Sequence, residues 1–376
     1  MKKMVRHSAA VRDLKNGPSQ KMRPGRLGRG KGVPMEGSAA PVDALSRLPG
    51  ATPNRAEELE GGASTRRFFR VPFDNGASGV AMYVPDASTP DEISNGCEQG
   101  RRWPFLEVRE LLEAHGVRVP QLLHEACDEK VIVVEDLGDD TLARYLERHP
   151  ERREQLYQSA IADLCNAQRA LGQLPADCVV RERAFDVDLL RWEIDHFREW
   201  GLEARGIALT ETQAERFDQA ATYLAESIAS WPRGFVHRDY QSRNLMVRER
   251  DGSAELYWID FQDALLGPRV YDLVALLNDS YQRFTRDFIE RRLDEYSTHL
   301  GHSHAQRREV GREFDMVTVQ RKLKDAGRFV FIDEVRGNPS FLQFVEPTIN
   351  KAKKSLARLT DDPQLADLAA LLDEVV

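Results

Sequence analysis

This sequence has few cysteines, no long apolar run and no excess of positive charge. Its 376 residues include four scattered cysteines, Cys97, Cys127, Cys165 and Cys178, and no C-x-x-C pair, which argues against a disulfide framework or a zinc site. No segment approaches the roughly 20 apolar residues that a transmembrane helix needs, and no hydrophobic segment follows the basic N-terminus as in a signal peptide. The net charge of −8 does not indicate a nucleic-acid partner. We therefore expect a cytoplasmic protein without a membrane span.

The order of the sequence patterns predicts an α+β protein with two lobes. Residues 1–42 are rich in Lys, Arg, Gly and Pro, which predicts a disordered basic arm, either idle or docking weakly to an anionic surface; translation starting at Met35 is a further alternative. Strand-like segments (FFRVPF and GVAMYVP) and an amphipathic helix opened by Pro104 come next, and after Asp139 the pattern is mainly helical. We predict a small antiparallel-sheet N-lobe over 43–138 and a larger helical C-lobe over 139–376.

The stretch GFVHRDYQSRNLMV contains the most informative polar residues. His237, Arg238 and Asp239 follow an apolar run, and Asn244 comes after four intervening residues, which is the H-R-D-x-x-x-x-N spacing of a kinase catalytic loop. Downstream, the segment LYWIDFQDA places Asp260 at the end of a second strand. A turn at Gly252 would pair the two strands and bring Asn244 and Asp260 together.

This arrangement suits phosphoryl transfer, in which an aspartate faces the acceptor hydroxyl while an asparagine and a second aspartate hold Mg²⁺ at the nucleotide phosphates. A lone Asp or Asn in a loop is more often a turn or cap residue, and Asp272 could be a plain charge at a helix start. The joint presence of two apolar strands, the loop spacing and the delivered Asp260 favours the functional interpretation.

The block HRDYQSRNLM…IDFQDALLGPRVYDLVALL resembles the aminoglycoside phosphotransferase superfamily, which shares the protein-kinase fold. More narrowly it resembles the bacterial anomeric kinases of N-acetylmuramate and N-acetylglucosamine, which act in cell-wall recycling. The resemblance covers roughly Leu59 to Phe344 and includes GGASTRRFFRV and VEDLGDDTL. It implies a protein-kinase-like bilobal fold, ATP and Mg²⁺ as cofactors, and an amino sugar as the small-molecule substrate.

The resemblance also implies roles for individual residues. Asp239 would be the base or hydroxyl-orienting residue, Asn244 and Asp260 would hold Mg²⁺, and His237 and Asp272 would support the loop. The nucleotide would be bound by a phosphate loop and by a hinge, through Gly61, Gly62, Ser64, Glu135 and Leu137. The substrate candidates are Gln241, Arg243, Glu193 and Trp200. For Glu193 and Trp200, whose spacing is helical, core packing is the alternative.

Two departures from the family pattern leave questions open. Gln241 stands where the subgroup typically has histidine, and GVAMYVP has no lysine of the V-A-I-K type. Another cation must therefore neutralise the α- and β-phosphates of the nucleotide, and the nearest in the sequence are Arg66, Arg67 and Arg70. On an alternating strand Arg66 and Arg70 point to the same side. The alternative for all three is a solvated position at the strand edge. The competing functions are an aminoglycoside, choline or homoserine kinase, a protein-directed kinase, and an inactive nucleotide-binding scaffold. We expect a monomer.

Overall fold

The computed structural model describes residues 42–59, 66–84 and 103–376. The predictions for the basic arm, for Cys97, and for Gly61, Gly62 and Ser64 fall outside these residues. Within them, no helix has the length and apolar character required to cross a membrane.

A five-stranded antiparallel sheet with the order β1-β2-β3-β5-β4 forms the N-terminal part. Its strands are β1 (Glu57–Leu59), β2 (Arg67–Pro72), β3 (Ser78–Tyr83), β4 (Leu122–Ala126) and β5 (Val131–Glu135). The predicted strand pair forms a hairpin with Pro72 opposite Ser78, and Gly76 in its turn has a φ of 82°, a conformation that glycine adopts without strain.

Both faces of this sheet are covered, which explains the uninterrupted apolar run of β5. On one face, Phe69 and Val133 pack with Leu45 of the short helix α1 (Val42–Leu45). On the other face, Ile132 packs with Leu106 of helix α2 (Pro104–Ala114). Alternate residues of a strand face opposite sides of a sheet, so a strand buried on both sides is apolar throughout.

The C-terminal part is mainly helical and contains two small antiparallel sheets of two strands each. Its helices are α3 (Leu142–Arg148), α4 (Arg153–Ala170), α5 (Val187–His196), α6 (Glu211–Ala229), α7 (Tyr271–Leu277), α8 (Arg286–His299), α9 (His304–Arg336), α10 (Val345–Leu356) and α11 (Pro363–Val375). Strand β6 (Arg233–Val236) pairs with β9 (Leu265–Pro268), and β7 (Leu245–Arg250) pairs with β8 (Ser253–Trp258). A five-stranded antiparallel sheet together with a mainly helical part confirms the predicted α+β class; β1, β4 and β9 were not predicted.

The 33-residue helix α9 organises the helical part. It begins at a capping box of Ser303 and Gln306 and ends at Gly337, whose φ is 67°, and both features are typical helix termini. It contacts α5, α7, α8 and α10. At Gly327 the helix comes so close to α5 that a Cβ would lie 2.5 Å from the carbonyl oxygen of His196. Close packing on several sides explains why even charged residues of α9 are buried.

Candidate active site

A cavity of about 1130 Å³ lies between the five-stranded sheet and the helical part. Strands β2, β3 and β5 and the segment after β5 line one side of it. The other side is formed by the loop 237–244, the segment after β8, and helix α9. Asp239, Asn244 and Asp260 all line this cavity, so the structure brings together the three residues that the loop spacing singled out.

Asp272 holds the beginning of the 237–244 loop. Its carboxylate is completely buried at the start of α7, and it accepts hydrogen bonds from the backbone N–H groups of His237 at 2.8 Å and Arg238 at 3.0 Å. Burial raises the pKa of Asp272 to about 7, against the opposing effect of these two N–H donors. Asp272 therefore satisfies backbone groups of the loop, which a plain charge at a helix start would not do.

The buried imidazole ring of His237 also supports this loop. Burial lowers its pKa to about 4, so the imidazole is neutral near pH 7 and has one donor and one acceptor nitrogen. Nε2 lies 3.1 Å from the carbonyl oxygen of Ile259, and Nδ1 lies 3.3 Å from the backbone N–H of Asp239. These partners assign the proton to Nε2. The ring thus links the loop to the end of the β7–β8 hairpin.

The far end of the loop is held by Asp279, which follows α7 and is also buried. It accepts a hydrogen bond from the backbone N–H of Ser242 at 3.1 Å and another from the Ser242 hydroxyl. The carbonyl oxygens of Asp279 and Gln282 in turn accept from Nζ of Lys351, at 2.9 Å for Gln282. Buried partners therefore fix both ends of the loop.

Asn244 and Asp260 meet at the mouth of the β7–β8 hairpin. The Asn244 amide donates to the backbone oxygen of Asp239 at 2.9 Å and to a carboxylate oxygen of Asp260 at 3.4 Å. Strand β8 ends at Trp258 rather than at Ile259 as predicted, and Asp260 has a φ of 62°. Such a conformation is uncommon for a residue other than glycine and is concentrated at functional sites; Arg238 shares it, with a φ of 77°.

An amide oxygen and a carboxylate form a donor set that suits a hard cation. Over the described ranges, no group of three or more His, Cys, Asp or Glu side chains is placed to hold a metal. Mg²⁺ is commonly held by one or two protein carboxylates together with substrate phosphates, and a pair of residues such as Asn244 and Asp260 fits that mode of binding.

The electrostatics at Asp239 depend on a buried arginine of α9. Nη2 of Arg321 lies 2.8 Å from Oδ1 of Asp239, and Nη1 donates to the carbonyl oxygen of Arg238 at 2.6 Å. Burial by itself would raise the pKa of Asp239, but the charges of Arg321, Lys324 and Arg238 outweigh it and hold the pKa below its usual range. Asp239 is therefore a carboxylate at neutral pH.

Asp260 has the opposite balance. Although its side chain is 45% exposed, partial desolvation raises its pKa, and the negative charge of Asp239 adds to the effect. A bound cation would oppose both effects and favour the charged form of Asp260.

Two arginines reach the cavity from the sheet. Arg66 lies 3.6 Å from Asp260 and 3.4 Å from Asp263, which places it beside the Asn244–Asp260 pair. Arg70 binds Asp136 at 2.7 Å and Asp139 at 2.8 Å, which ties it to the segment after β5. Both arginines line the cavity, whereas Arg67 is turned away and pairs with Glu58.

The predicted hinge residues also line the cavity. Glu135 ends β5, and its carboxylate pairs with Arg248 and accepts from the backbone N–H of Gln121 at 3.3 Å. Leu137 follows in the same wall. An apolar side chain beside strand-edge backbone is the usual environment for a flat aromatic base.

Of the four substrate candidates, Gln241 and Arg243 line the cavity and Glu193 and Trp200 do not. The Arg243 guanidinium lies 3.5 Å from the centre of the Tyr281 ring. Glu193 is completely buried and accepts from Arg238 at 3.3 Å and from Gln320 at 2.8 Å.

Trp200 packs edge-on against Phe331 of α9, 5.1 Å between ring centres. For Glu193, which is completely buried, substrate contact was the wrong interpretation, whereas Trp200 is half-buried and does not line the cavity. Their face of α5 and of the π-helical turn after it (Phe197–Leu202) packs against α9.

The sequence interpretation missed the residues of α9 that line the cavity. They include Arg321, Lys324, Asp325 and Arg328. Their spacing of i, i+3, i+4 and i+7 puts them on one face of a helix, and this charged stripe in QRKLKDAGRF was the signal available. The neighbouring Lys322 is buried and pairs with Asp325 at 2.6 Å.

Residues 55–310 match the model of the phosphotransferase enzyme family. A protein named N-acetylmuramate/N-acetylglucosamine kinase from Neisseria meningitidis serogroup B is 32% identical over 327 residues, covering 84% of this chain and 88% of that protein. A protein of the same name from Pseudomonas aeruginosa is 32% identical over 317 residues, covering 82% of this chain and 85% of that protein.

Solved structures share the fold at lower identity. A microcompartment-associated aminopropanol kinase superposes with a TM-score of 0.60 at 15% identity, covering 85% of this chain and 97% of that one. An ADP-bound aminoglycoside phosphotransferase superposes with a TM-score of 0.54 at 17% identity, covering 83% of this chain and 97% of that one. These likenesses confirm the predicted kinase-like two-lobed α+β fold.

Proposed function

Because this chain belongs to the phosphotransferase enzyme family, we propose that it is an ATP-dependent kinase that phosphorylates an amino sugar at the anomeric hydroxyl. The observation that carries the proposal is that the Asp239 carboxylate and the Asn244–Asp260 pair line one cavity. The names of the relatives from Neisseria and Pseudomonas support the choice of N-acetylmuramate and N-acetylglucosamine as acceptors. We still expect a monomeric cytoplasmic enzyme, and the resemblance implies a role in cell-wall recycling.

Asp239 orients the acceptor hydroxyl in this proposal. Arg321 occupies Oδ1, and we assign Oδ2 to the hydrogen bond from the hydroxyl. The acceptor oxygen forms a bond to the γ-phosphorus while the bond to the β–γ bridging oxygen breaks, and the hydroxyl proton passes to Asp239. Since its pKa is held low, Asp239 takes up the proton late, which suits a loose transition state governed by positioning and electrostatics.

Asn244 and Asp260 are the residues that would hold Mg²⁺. When bound, the ion neutralises charge on the nucleotide phosphates. Their own contribution is a fixed pair of oxygen donors at the end of a hairpin, next to Arg66.

The wall formed by the sheet would bind the nucleotide. Glu135 and Leu137 would present the hinge to adenine, and Gly61, Gly62 and Ser64 remain predicted for the phosphates. Arg66 is better placed than Arg70 to replace the missing lysine, because Arg66 lies beside Asp260 whereas Arg70 is tied to Asp136 and Asp139.

The acceptor side of the cavity is rich in positive charge. Arg243, Arg321, Lys324 and Arg328 line it, against the acids Asp239 and Asp325. Asp239 is neutralised by Arg321, and Asp325 by Lys322. A surplus of cations disfavours aminoglycosides and choline, which are themselves cationic, and suits a neutral or acidic sugar.

The test is ATP consumption with Mg²⁺ against N-acetylmuramate, N-acetylglucosamine, kanamycin, choline and homoserine, with the phosphorylated position read by NMR. We expect turnover on the N-acetyl sugars at C1. In the Asp239→Asn variant, kcat should fall by at least about 100-fold, the lower range for losing a positioned acid–base group. Near-normal turnover in the variant contradicts the role of Asp239, and turnover only on another acceptor contradicts the substrate.

A further inference from the structure

We propose that Lys324 binds the carboxylate of an acidic amino-sugar acceptor and so makes the enzyme prefer N-acetylmuramate to N-acetylglucosamine. The two sugars differ by a lactyl ether that carries a carboxylate, so one well-placed cation is enough to distinguish them. This inference rests on the proposed function and specifies how its acceptor is selected.

Lys324 is a largely enclosed cation that faces the cavity. Its side chain is 11% exposed, and the acid nearest to it among the described residues is Asp325, at 3.8 Å. That distance exceeds a hydrogen bond. The other carboxylate oxygen of Asp325 is bound by Lys322 at 2.6 Å, so Asp325 already has a partner of opposite charge. An enclosed ammonium group without a hydrogen-bonded acid gains from an anionic ligand.

The position of Lys324 along α9 fits the size of a sugar ring. Arg321, which fixes Asp239, lies three residues earlier on the same face. At about 1.5 Å of rise per residue, Lys324 is about 4.5 Å further along the helix. An acceptor whose reacting hydroxyl lies at Asp239 therefore extends its remote substituents toward Lys324, and Arg328 follows one turn beyond.

A role for Lys324 at the transferred phosphoryl group is the main alternative. The phosphates are expected near Asn244, Asp260 and Arg66, where the proposed metal ligands lie, whereas Lys324 projects from α9. The two roles have different kinetic consequences. A contact to phosphate would lower turnover equally for every acceptor, whereas a contact to the lactyl carboxylate would affect only the acidic one.

The experiment compares kcat/KM for both sugars in Lys324→Gln, in Lys324→Arg, and in the control Lys353→Gln. Lys353 lies on α10 away from the cavity and pairs with Asp373 at 3.0 Å, so its replacement removes the same charge from elsewhere. For Lys324→Gln we expect kcat/KM to fall about 10- to 100-fold more on N-acetylmuramate than on N-acetylglucosamine, the range for losing a charged hydrogen bond, because the effect of the Lys324 charge on Asp239 is common to both sugars. Lys324→Arg should retain the preference.

Each outcome has a distinct meaning. Wild-type kcat/KM on both sugars in Lys324→Gln overturns this inference while leaving the kinase proposal intact. An equal loss on both sugars also overturns it and favours phosphate contact. If the wild-type protein phosphorylates neither sugar, the proposed function itself fails. Activity of Lys324→Arg on N-acetylglucosamine confirms that the position tolerates substitution.

Discussion

The loop wall of the cavity is held by buried hydrogen bonds, whereas the sheet wall is held by partly exposed ion pairs. On the loop wall, Asp272 and Asp279 are 0% and 1% exposed and bind backbone N–H groups of the 237–244 loop. On the sheet wall, Arg70 is 25% exposed and its partner Asp139 is 67% exposed. Buried polar groups are costly to unpair, while exposed ion pairs contribute little. The loop wall is therefore preorganised, and the sheet wall can adjust to the nucleotide.

The largest effect expected from this difference is on stability, at Asp272. Asp272→Ala leaves two buried N–H donors without an acceptor, at about 1–3 kcal/mol each, so the free energy of unfolding should fall by about 2–6 kcal/mol. Urea unfolding measures it, with Asp272→Asn as a control that retains one acceptor oxygen and should lose less. A denaturation midpoint equal to that of the wild type would contradict the bracing role.

The next effect concerns catalysis at the loop wall. Arg321→Gln removes the cation that fixes Asp239, and we expect kcat to fall about 10- to 100-fold, since a charge-assisted hydrogen bond contributes about 1.5–3 kcal/mol. The KM for ATP should change little, because Arg321 lies on the acceptor side. Steady-state kinetics beside Arg321→Lys, which keeps the charge, separates this from a folding defect. A variant that changed only the KM for ATP would disprove the assignment.

The smallest effects are expected on the sheet wall, where two arginines can be compared directly. Arg66→Gln should raise the KM for ATP about tenfold, as for loss of one charged phosphate contact, while the free energy of unfolding changes by less than about 1 kcal/mol. Arg70→Gln is the matched control and should change the KM for ATP less than about threefold, since Arg70 is tied to Asp136 and Asp139. A larger effect at Arg70 than at Arg66 would reverse their proposed roles.

The sequence predicted those parts of the site that depend on short-range spacing. Asp239, Asn244 and Asp260 belong to one loop and one hairpin, whose strand and turn signals lie within about thirty residues of chain, so local patterns were sufficient to place them together. The support of the loop by Asp272 required the resemblance, because a helix-start carboxylate has several common roles.

The contribution of α9 could not be foreseen in the same way. Arg321 contacts Asp239 across 82 positions of the chain, and helical periodicity shows which residues share a face without showing what that face meets. The same limit explains the error at Glu193, whose helix face meets α9 instead of the cavity. The sequence alone does not show whether a charged residue on a helix faces a cavity or is buried against a neighbouring helix, because that depends on tertiary packing.

The left-handed backbone of Asp260 has a consequence for laboratory evolution. Glycine adopts this backbone conformation without the strain of roughly 1–3 kcal/mol that other residues have there. The Asp260 side chain is 45% exposed, so its removal would cost little packing energy. Selection for heat resistance alone would therefore enrich glycine at this codon and discard the proposed metal ligand. Variant libraries selected for heat resistance should therefore carry glycine at position 260, whereas libraries selected for catalytic turnover should retain aspartate. The residue found there would show which property had been selected.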